Sequence, residues 1–322
     1  MSRQFIADTL KLCSAGLILL LISGWLQDFH PAFDSPSHFR LHFAALLAIV
    51  SILLLFVRGW IWTLAGLVII AISVGLTHPY LPGVEVNSGQ AQLSKSNDET
   101  GDQTNVLRLV QMNLRFINTQ YRKAIKVISG AEPDIILLQE ITRINEKLLE
   151  DFIHSHPHQV YCHRQGIGSV AILSRYPFSA ANRNQCLWRL GFARAEVLIN
   201  GRPFNLASLH SRWPWPFSQS RQLQALRGDM EALSHPAILA GDFNSAPWSA
   251  AVSKTANITG TKVAPGLLMS WGSPFAAFRQ HIGPVLPIDH VLISPQLGFL
   301  SREILEDGGS DHFPILTRIK IR

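Results

Sequence analysis

Three apolar runs fill the first quarter of the chain. Leu12 to Phe29 reads LCSAGLILLLISGWLQDF and stays apolar until Gln27 and Asp28, while Leu41 to Val57 and Trp60 to Thr77 carry no Asp, Glu, Lys or Arg. Each approaches the roughly 20 residues that cross a bilayer core as a helix. One such helix can belong to a globular core, but three in succession with short polar breaks predict three transmembrane helices, at about 12–29, 41–57 and 60–77. Trp25, Trp60 and Trp62 stand near the run ends, where an interfacial aromatic belt sits. A signal peptide would end at a small-residue cleavage site, which is not evident, and further spans would not follow it. Residues 1–78 therefore read as a membrane anchor. Residues 79–104, rich in Pro, Gly, Ser, Asn, Gln and Asp without an apolar period, read as a flexible linker.

From residue 105 the pattern changes to short apolar runs separated by turns and occasional helical spacing. Val106 to Asn113 predicts a strand, Tyr121 to Ser129 a helix, Asp134 to Glu140 a buried strand, and Thr142 caps a helix running to about His154. Ser169–Leu173 is another strand. Phe192–Ile199 and Arg202–Leu209 flank Asn200-Gly201, a type I′ hairpin signal. Ser218–Leu233 reads as a helix, Pro236–Asn244 as a strand and its turn, and Val285–Ile293 and Pro314–Ile321 as late strands. Hairpins mixed with crossovers predict two mixed β-sheets packed together with helices outside, an α/β domain over 105–322.

Composition adjusts this picture in two ways. Of 322 residues 47% are hydrophobic and only 16% charged, too apolar for an ordinary soluble chain, and the excess lies in the anchor. Residues 105–322 hold 23 Lys and Arg against 15 Asp and Glu, a net +8 within a chain of +6, which favours an anionic substrate or surface. Three cysteines exclude a disulfide-dense scaffold or a Cys-rich zinc module.

Polar residues recur where apolar strands stop: Asn113, Glu140, His210, Asp242, Asn244, Asp289 and His312. Singly, each has an ordinary explanation. Gly241-Asp242-Phe243-Asn244 can be a strand end with an Asx turn, Glu140 can face a helix N-terminus, and Asp311-His312 can cap a turn before Pro314. Together they fit phosphoester hydrolysis with a hard cation. Glu140 and Asp311 supply the oxygen ligands that Mg²⁺ prefers, with Mn²⁺ as an alternative; no His-x-x-x-His or Cys cluster points to zinc. Asp242 can orient or deprotonate water, Asn244 can hold that water or a phosphoryl oxygen, and His210 and His312 can donate to developing charge. Asp289 is assigned to His312, whose tautomer and charge it would fix.

Gln111-Met112-Asn113, Leu138-Gln139-Glu140, Ser208-Leu209-His210, Gly241-Asp242-Phe243-Asn244, Ile288-Asp289-His290 and Ser310-Asp311-His312-Phe313-Pro314 resemble the motifs of the endonuclease/exonuclease/phosphatase superfamily. This resemblance implies a four-layer α/β sandwich, Mg²⁺-dependent in-line hydrolysis, and Asn113 in the metal and phosphate shell. Two departures stand out. No Glu between Tyr161 and Ser174 matches the residue that orients the His210 equivalent in the deoxyribonuclease-like branch. Ser208-Leu209-His210-Ser211 replaces the Tyr-bearing segment of the abasic-endonuclease branch, which argues against an abasic-site enzyme.

Few charges set the orientation. Arg3, Lys11 and Arg58 mark the cytoplasmic side, so an odd number of spans puts the domain outside, on an inner or plasma membrane. Trp213-Pro214-Trp215-Pro216-Phe217, just after His210, is an aromatic loop suited to the apolar part of a substrate or to a lipid interface. The expected substrate is a lipid-linked or other extracytoplasmic phosphate ester, with the bilayer as partner. An extracytoplasmic nuclease acting on nucleic acid and an inactive binding module are the alternatives. Cys162 and Cys186 can pair if the domain lies outside, or remain two buried thiols.

Overall fold

The computed structural model describes residues 2–80, 105–163, 168–180, 185–272 and 284–321, so most of the segment read as a linker lies outside the described residues. The N-terminal part is built from α1 (Arg3–Trp25), α2 (Pro31–Ser37), α3 (Arg40–Phe56) and α4 (Trp60–Gly75). Hydropathy predicts three spans, and here the structure corrects it. Among the described residues only α1 is by itself long and apolar enough to cross a membrane; α2 and α3 reach that length only together, across a 61° bend, and α4 is a shorter apolar helix. At 1.5 Å per residue α3 and α4 are about 25 Å long, short of the roughly 30 Å hydrocarbon core. α1 starts at Arg3, where Ser2 Oγ accepts from Phe5 N, rather than at Leu12. α3 stops early because Gly59 N folds back to Leu54 O at 2.8 Å.

The three longer helices pack side by side. Small residues allow the approach: a Cβ on Gly66 would meet Ser51 Oγ at 2.5 Å. Leu12, Ile61 and Leu64 face outward. Arg3 Nη2 donates to Phe56 O at 3.0 Å, tying the start of α1 to the end of α3. At the opposite end, residues following α1 and α4 touch Trp248 of the sheet-bearing part: Gln27 Nε2 donates to its carbonyl at 2.8 Å and the Tyr80 ring lies 6.2 Å from its indole.

The rest of the chain runs β1 (Val106–Asn113), α5 (Tyr121–Gly130), β2 (Ile135–Gln139), α6 (Lys147–Asp151), β3 (His158–Cys162), β4 (Val170–Ser174), β5 (Gln185–Leu187), β6 (Phe192–Ile199) and β7 (Arg202–His210). It continues through α7 (Gln219–Ala225), α8 (Arg227–Glu231), β8 (Ala237–Asp242), α9 (Ala250–Thr259), β9 (Lys262–Val263), β10 (Trp271–Gly272), β11 (Pro284–Leu286), β12 (Asp289–Ile293), β13 (Gly298–Ile304) and β14 (Ile315–Lys320). One six-stranded sheet has the order β13-β14-β1-β2-β4-β3 and the other β5-β6-β7-β8-β12-β9. Each is antiparallel except for one parallel pair, β1 with β2 and β7 with β8.

Period-two alternation assigns the faces. Leu107, Leu109, Ile135, Leu137, Leu206, Ile238, Ala240 and Val291 fill the space between the sheets. Met112, Ile136 and Leu138 face outward under α5 and α6, while Leu209, Leu239 and Phe243 face α8 and α9. The result is helix, sheet, sheet, helix: two mixed sheets in four layers. Burying a Leu or Ile side chain in such a core contributes about 1.5–3 kcal/mol.

Both parallel pairs point their C-terminal ends at one edge. The register His210↔Asp242↔Asp289 and Asn113↔Gln139 holds those ends level, and β14 starts there as well, with Ile315 opposite Gln111. The two sheets therefore present their strand tips together.

Candidate active site

The stripes that fill the inter-sheet core turn polar at this edge. After Leu109 come Gln111 and Asn113, after Leu206 come Ser208 and His210, after Ala240 comes Asp242, and before Val291 comes Asp289; each keeps its strand's parity. Asn113, Asp242 and Asp289 are buried almost completely. Glu140 follows β2 at φ +56, a left-handed position that turns its carboxylate back over the tip.

Asp242 is the hub. Its Oδ2 accepts from Asn113 Nδ2 at 2.9 Å and lies 3.7 Å from Nε2 of both His210 and His312. Its Oδ1 accepts from Asn244 N at 2.7 Å, which is the Asx turn the sequence allowed, present alongside the site. Asn244 adopts φ +48 and donates from Nδ2 to Ser211 O at 2.7 Å. Gly241, at φ +151, passes so close to β7 that a Cβ would overlap the Leu209 carbonyl.

Glu140 Oε1 stands 3.3 Å from His210 Nε2 and accepts from Asn113 Nδ2 at 3.1 Å, while its Oε2 accepts from Phe116 N at 2.8 Å. Glu140 is thus the carboxylate beside His210, where no orienting Glu was found in the sequence. On the other flank, His312 Nδ1 meets Asp289 Oδ2 at 2.8 Å. Gln111 Nε2 and Ser270 Oγ donate to the two oxygens of Asp289 at 2.8 and 2.6 Å.

These surroundings set the charges. Burial alone would raise Glu140, but the hydrogen bond and charge of His210, with Asn113 and Phe116 N, draw it down to about 2. Burial would lower His210 and His312; Glu140 lifts the first, and Asp289 with Asp242 lifts the second to about 10. Burial raises Asp242 to about 6 despite the two imidazoles, and the Asp289 charge adds to it. Asp289 itself stays low because His312 outweighs its burial.

Glu140, His210 and Asp242 form one group, and Asp242, Asp289 and His312 another, in which one ligand atom per residue lies within 4.8 Å of the rest. Three carboxylates against two imidazoles leave an anionic, oxygen-rich cluster, which fits a hard divalent cation. Asp311 is not in either group. Its carboxylate lies 3.8 Å from Arg115 Nε, beside Ser310, whose hydroxyl donates to Asn113 O at 2.7 Å. The sequence names Gln111 only within the Gln111-Met112-Asn113 motif, with no role of its own, and does not point to Ser270. The alternation that places Asn113 at the edge would have found Gln111; Ser270 joins from a segment with no strand signal.

A model of the Endonuclease/Exonuclease/phosphatase family matches residues 110–312. The chain belongs to that family. Membership makes it a relative of metal-dependent hydrolases of phosphoester bonds. No curated protein matches the chain. Among solved structures of the fold, D. rerio TDP2 complexed with single strand DNA product is 17% identical with a TM-score of 0.53, over 67% of this chain and 99% of that one. An AP endonuclease from Archaeoglobus fulgidus is 16% identical with a TM-score of 0.53, over 66% and 98%. An endonuclease/exonuclease/phosphatase from Beutenbergia cavernae is 17% identical with a TM-score of 0.50, over 67% and 72%. At these identities the likeness bears on the fold of this Endonuclease/Exonuclease/phosphatase family member.

An aromatic wall borders its site. Trp271 bridges to His312 and stacks edge-on with Trp213, ring centroids 6.1 Å apart. Trp213, Trp215 and Phe217 are exposed, and Ser35 Oγ of the helical part donates to Trp215 O at 2.7 Å.

Proposed function

We propose that the chain is a membrane-anchored, divalent-metal-dependent phosphoesterase that hydrolyses a lipid-linked phosphate ester outside the cytoplasm, by in-line attack of water. The observation that carries this reading is the convergence on Asp242 of both imidazoles, with Glu140 alongside, at one sheet edge.

Asn113, Glu140 and Asp311 would hold the cation, Mg²⁺ by the hardness of the donors, and it would supply charge neutralisation for the phosphoryl and leaving-group oxygens. Asp242 takes the proton of the attacking water, a task that its raised pKa of about 6 suits near neutrality. Asn244 holds that water or a phosphoryl oxygen. His312, kept protonated and oriented by Asp289, and His210, kept protonated by Glu140, donate to the phosphoryl oxygens as the bond to the leaving group breaks.

Three observations support the membrane side and the substrate class. Arg3 and Arg58 lie at the end of the helices away from the site, so positive-inside orientation puts the site outside. Cys162 and Cys186, with Cα atoms 5.3 Å apart, form a disulfide, as chains in oxidising compartments do. The Trp213–Phe217 rim beside the site is joined to the anchor through Ser35, within reach of a lipid-linked ester.

The +8 charge of residues 105–322 favours a second reading, a nuclease. Purified full-length protein with Mg²⁺, assayed on lipid phosphates, lipid diphosphates and plasmid DNA, separates the two. We expect release of phosphate or a phosphorylated head group from the lipid. Nicking of DNA without lipid turnover would replace this reading with the second.

A further inference from the structure

The segment that follows Asp242 and Asn244 is held from two sides. Within the sheet-bearing part, Gln219 Nε2 donates to Phe243 O at 2.9 Å and to Ser245 Oγ at 3.0 Å, and His290 Nε2 donates to Ser245 O at 2.7 Å. The other side is the anchor. The turn between α1 and α3, more than 200 residues away in sequence, reaches the same stretch. His38 Nδ1 accepts from Ala246 N at 3.1 Å, Ser37 O accepts from Trp248 Nε1 at 2.7 Å, and Gln27 Nε2 donates to Trp248 O at 2.8 Å. Asp34 offers one carboxylate oxygen to Ala250 N at 3.0 Å and the other to Ala251 N at 3.2 Å.

These contacts are specific. Asp34, Ser37, His38 and Trp248 are all buried, and the Arg40 guanidinium lies 5.9 Å above the Trp248 ring. Ala250 and Ala251 open α9, where backbone N–H groups have no partner inside the helix and an anion is favoured. Burial holds the His38 imidazole down at about 4, so it presents a neutral acceptor to Ala246 N. Just upstream, Asn244 keeps a left-handed backbone that L-residues seldom adopt. Such a conformation persists only where the surroundings over-determine it.

We propose that the anchor's turn 26–40 is a working part of the active site: Asp34, Ser37 and His38 are positioning residues that fix the 244–251 segment and, through it, the placement of Asn244 against Asp242. This rests on the roles given above to Asp242 and Asn244. It makes the anchor more than a tether: the helical bundle and the catalytic edge are one mechanical unit.

The test uses the full chain in nanodiscs with Mg²⁺ and bis(4-nitrophenyl) phosphate, a water-soluble ester that needs no membrane presentation. His38→Phe removes the acceptor and keeps the bulk; His38→Asn restores an acceptor near the same place; Asp34→Ala removes the α9 cap. For His38→Phe and Asp34→Ala we expect kcat to fall ~10- to 100-fold with KM within about twofold, since sub-ångström to 1 Å displacements cost that much, and His38→Asn to recover most of it. Amide hydrogen exchange at 246–251 should rise in both deficient variants while β8 stays protected. Wild-type kcat and unchanged exchange in those variants would overturn the proposal. If the wild type cleaves neither this ester nor a lipid phosphate, the function proposed above fails, and exchange alone decides: lost protection at 246–251 supports the positioning role, retained protection refutes it. If His38→Phe does not fold, the Asp34→Ala and Asp34→Asn pair carries the same comparison.

Discussion

The Asp242 carboxylate meets four residues, Asn113, His210, His312 and Asn244, because Gly241 lets β8 press against β7. An alanine at 241 would need both an unfavourable φ and space that the Leu209 carbonyl already fills. Gly241→Ala should therefore cost more than ~2 kcal/mol and lower the urea midpoint without changing far-UV CD at low temperature. Asp242→Asn should leave stability near wild type and reduce kcat ~10²- to 10⁴-fold, the range for loss of a general base. Asp289→Asn acts differently, since it removes the charge that lifts His312 while leaving Gln111 and Ser270 as neighbours. A fall in kcat larger than any rise in KM is the expected outcome. The residue pattern at this scale was legible in sequence: alternation and strand ends placed Asn113, His210, Asp242 and Asp289 on one edge. The left-handed backbone at Glu140 and Asn244 was not, because nothing local forces those residues to φ above zero.

At the scale of elements, the strands were easier to read than the helices. The type I′ turn at Asn200-Gly201 forms as its sequence demands, with φ of +52 and +75 and Ile199 opposite Arg202. The helix read from Thr142 to His154 shortens to Lys147–Asp151, because Asn145 spends its side chain on Thr142 N and Arg115 O instead of yielding to the helix. Ser218–Leu233 divides into α7 and α8 at Leu226, and Pro287 splits the strand read over Val285–Ile293. α2 and α9 left no clear signal, and both belong to the junction between the helical part and the site. One buried imidazole gives this scale a pH test. His156 Nε2 donates to Pro133 O, and burial with the Arg175 charge lowers its pKa to about 4. A folded pKa below the unfolded value near 6.5 means that the unfolded chain takes up the proton first, so stability present above pH 6.5 is lost as pH falls toward 4. Denaturant midpoints should drop between pH 7 and 5, and His156→Gln should flatten that drop.

For the whole molecule, the sheet-bearing part is mounted on the N-terminal helical part, while most of the segment read as a linker lies outside the described residues. Contacts such as Asp34 with α9 join residues over 200 positions apart, which no local pattern encodes. The span count was overread for a related reason: apolar runs report burial or lipid equally, and only helix ends reveal that α3 and α4 are short. The disulfide closes a loop with a sequence separation of 24, so reduction should lower the unfolding free energy by about 3 kcal/mol, measured by denaturant titration with and without reductant. On the proposed lipid-linked substrate, Trp213→Ala with Trp215→Ala should raise KM for a membrane-borne ester and leave kinetics on a soluble ester unchanged. The central claim, a cation-dependent phosphoesterase built on Glu140 and Asp242, is tested most directly by one measurement. Turnover of a lipid phosphate in nanodiscs is followed for the wild type and Glu140→Gln while Mg²⁺ is removed with EDTA and restored. The account predicts wild-type turnover that vanishes with EDTA and returns with Mg²⁺, and a Glu140→Gln enzyme that needs far more Mg²⁺ for a much smaller rate. Turnover that ignores EDTA, or that Glu140→Gln leaves intact, would contradict it.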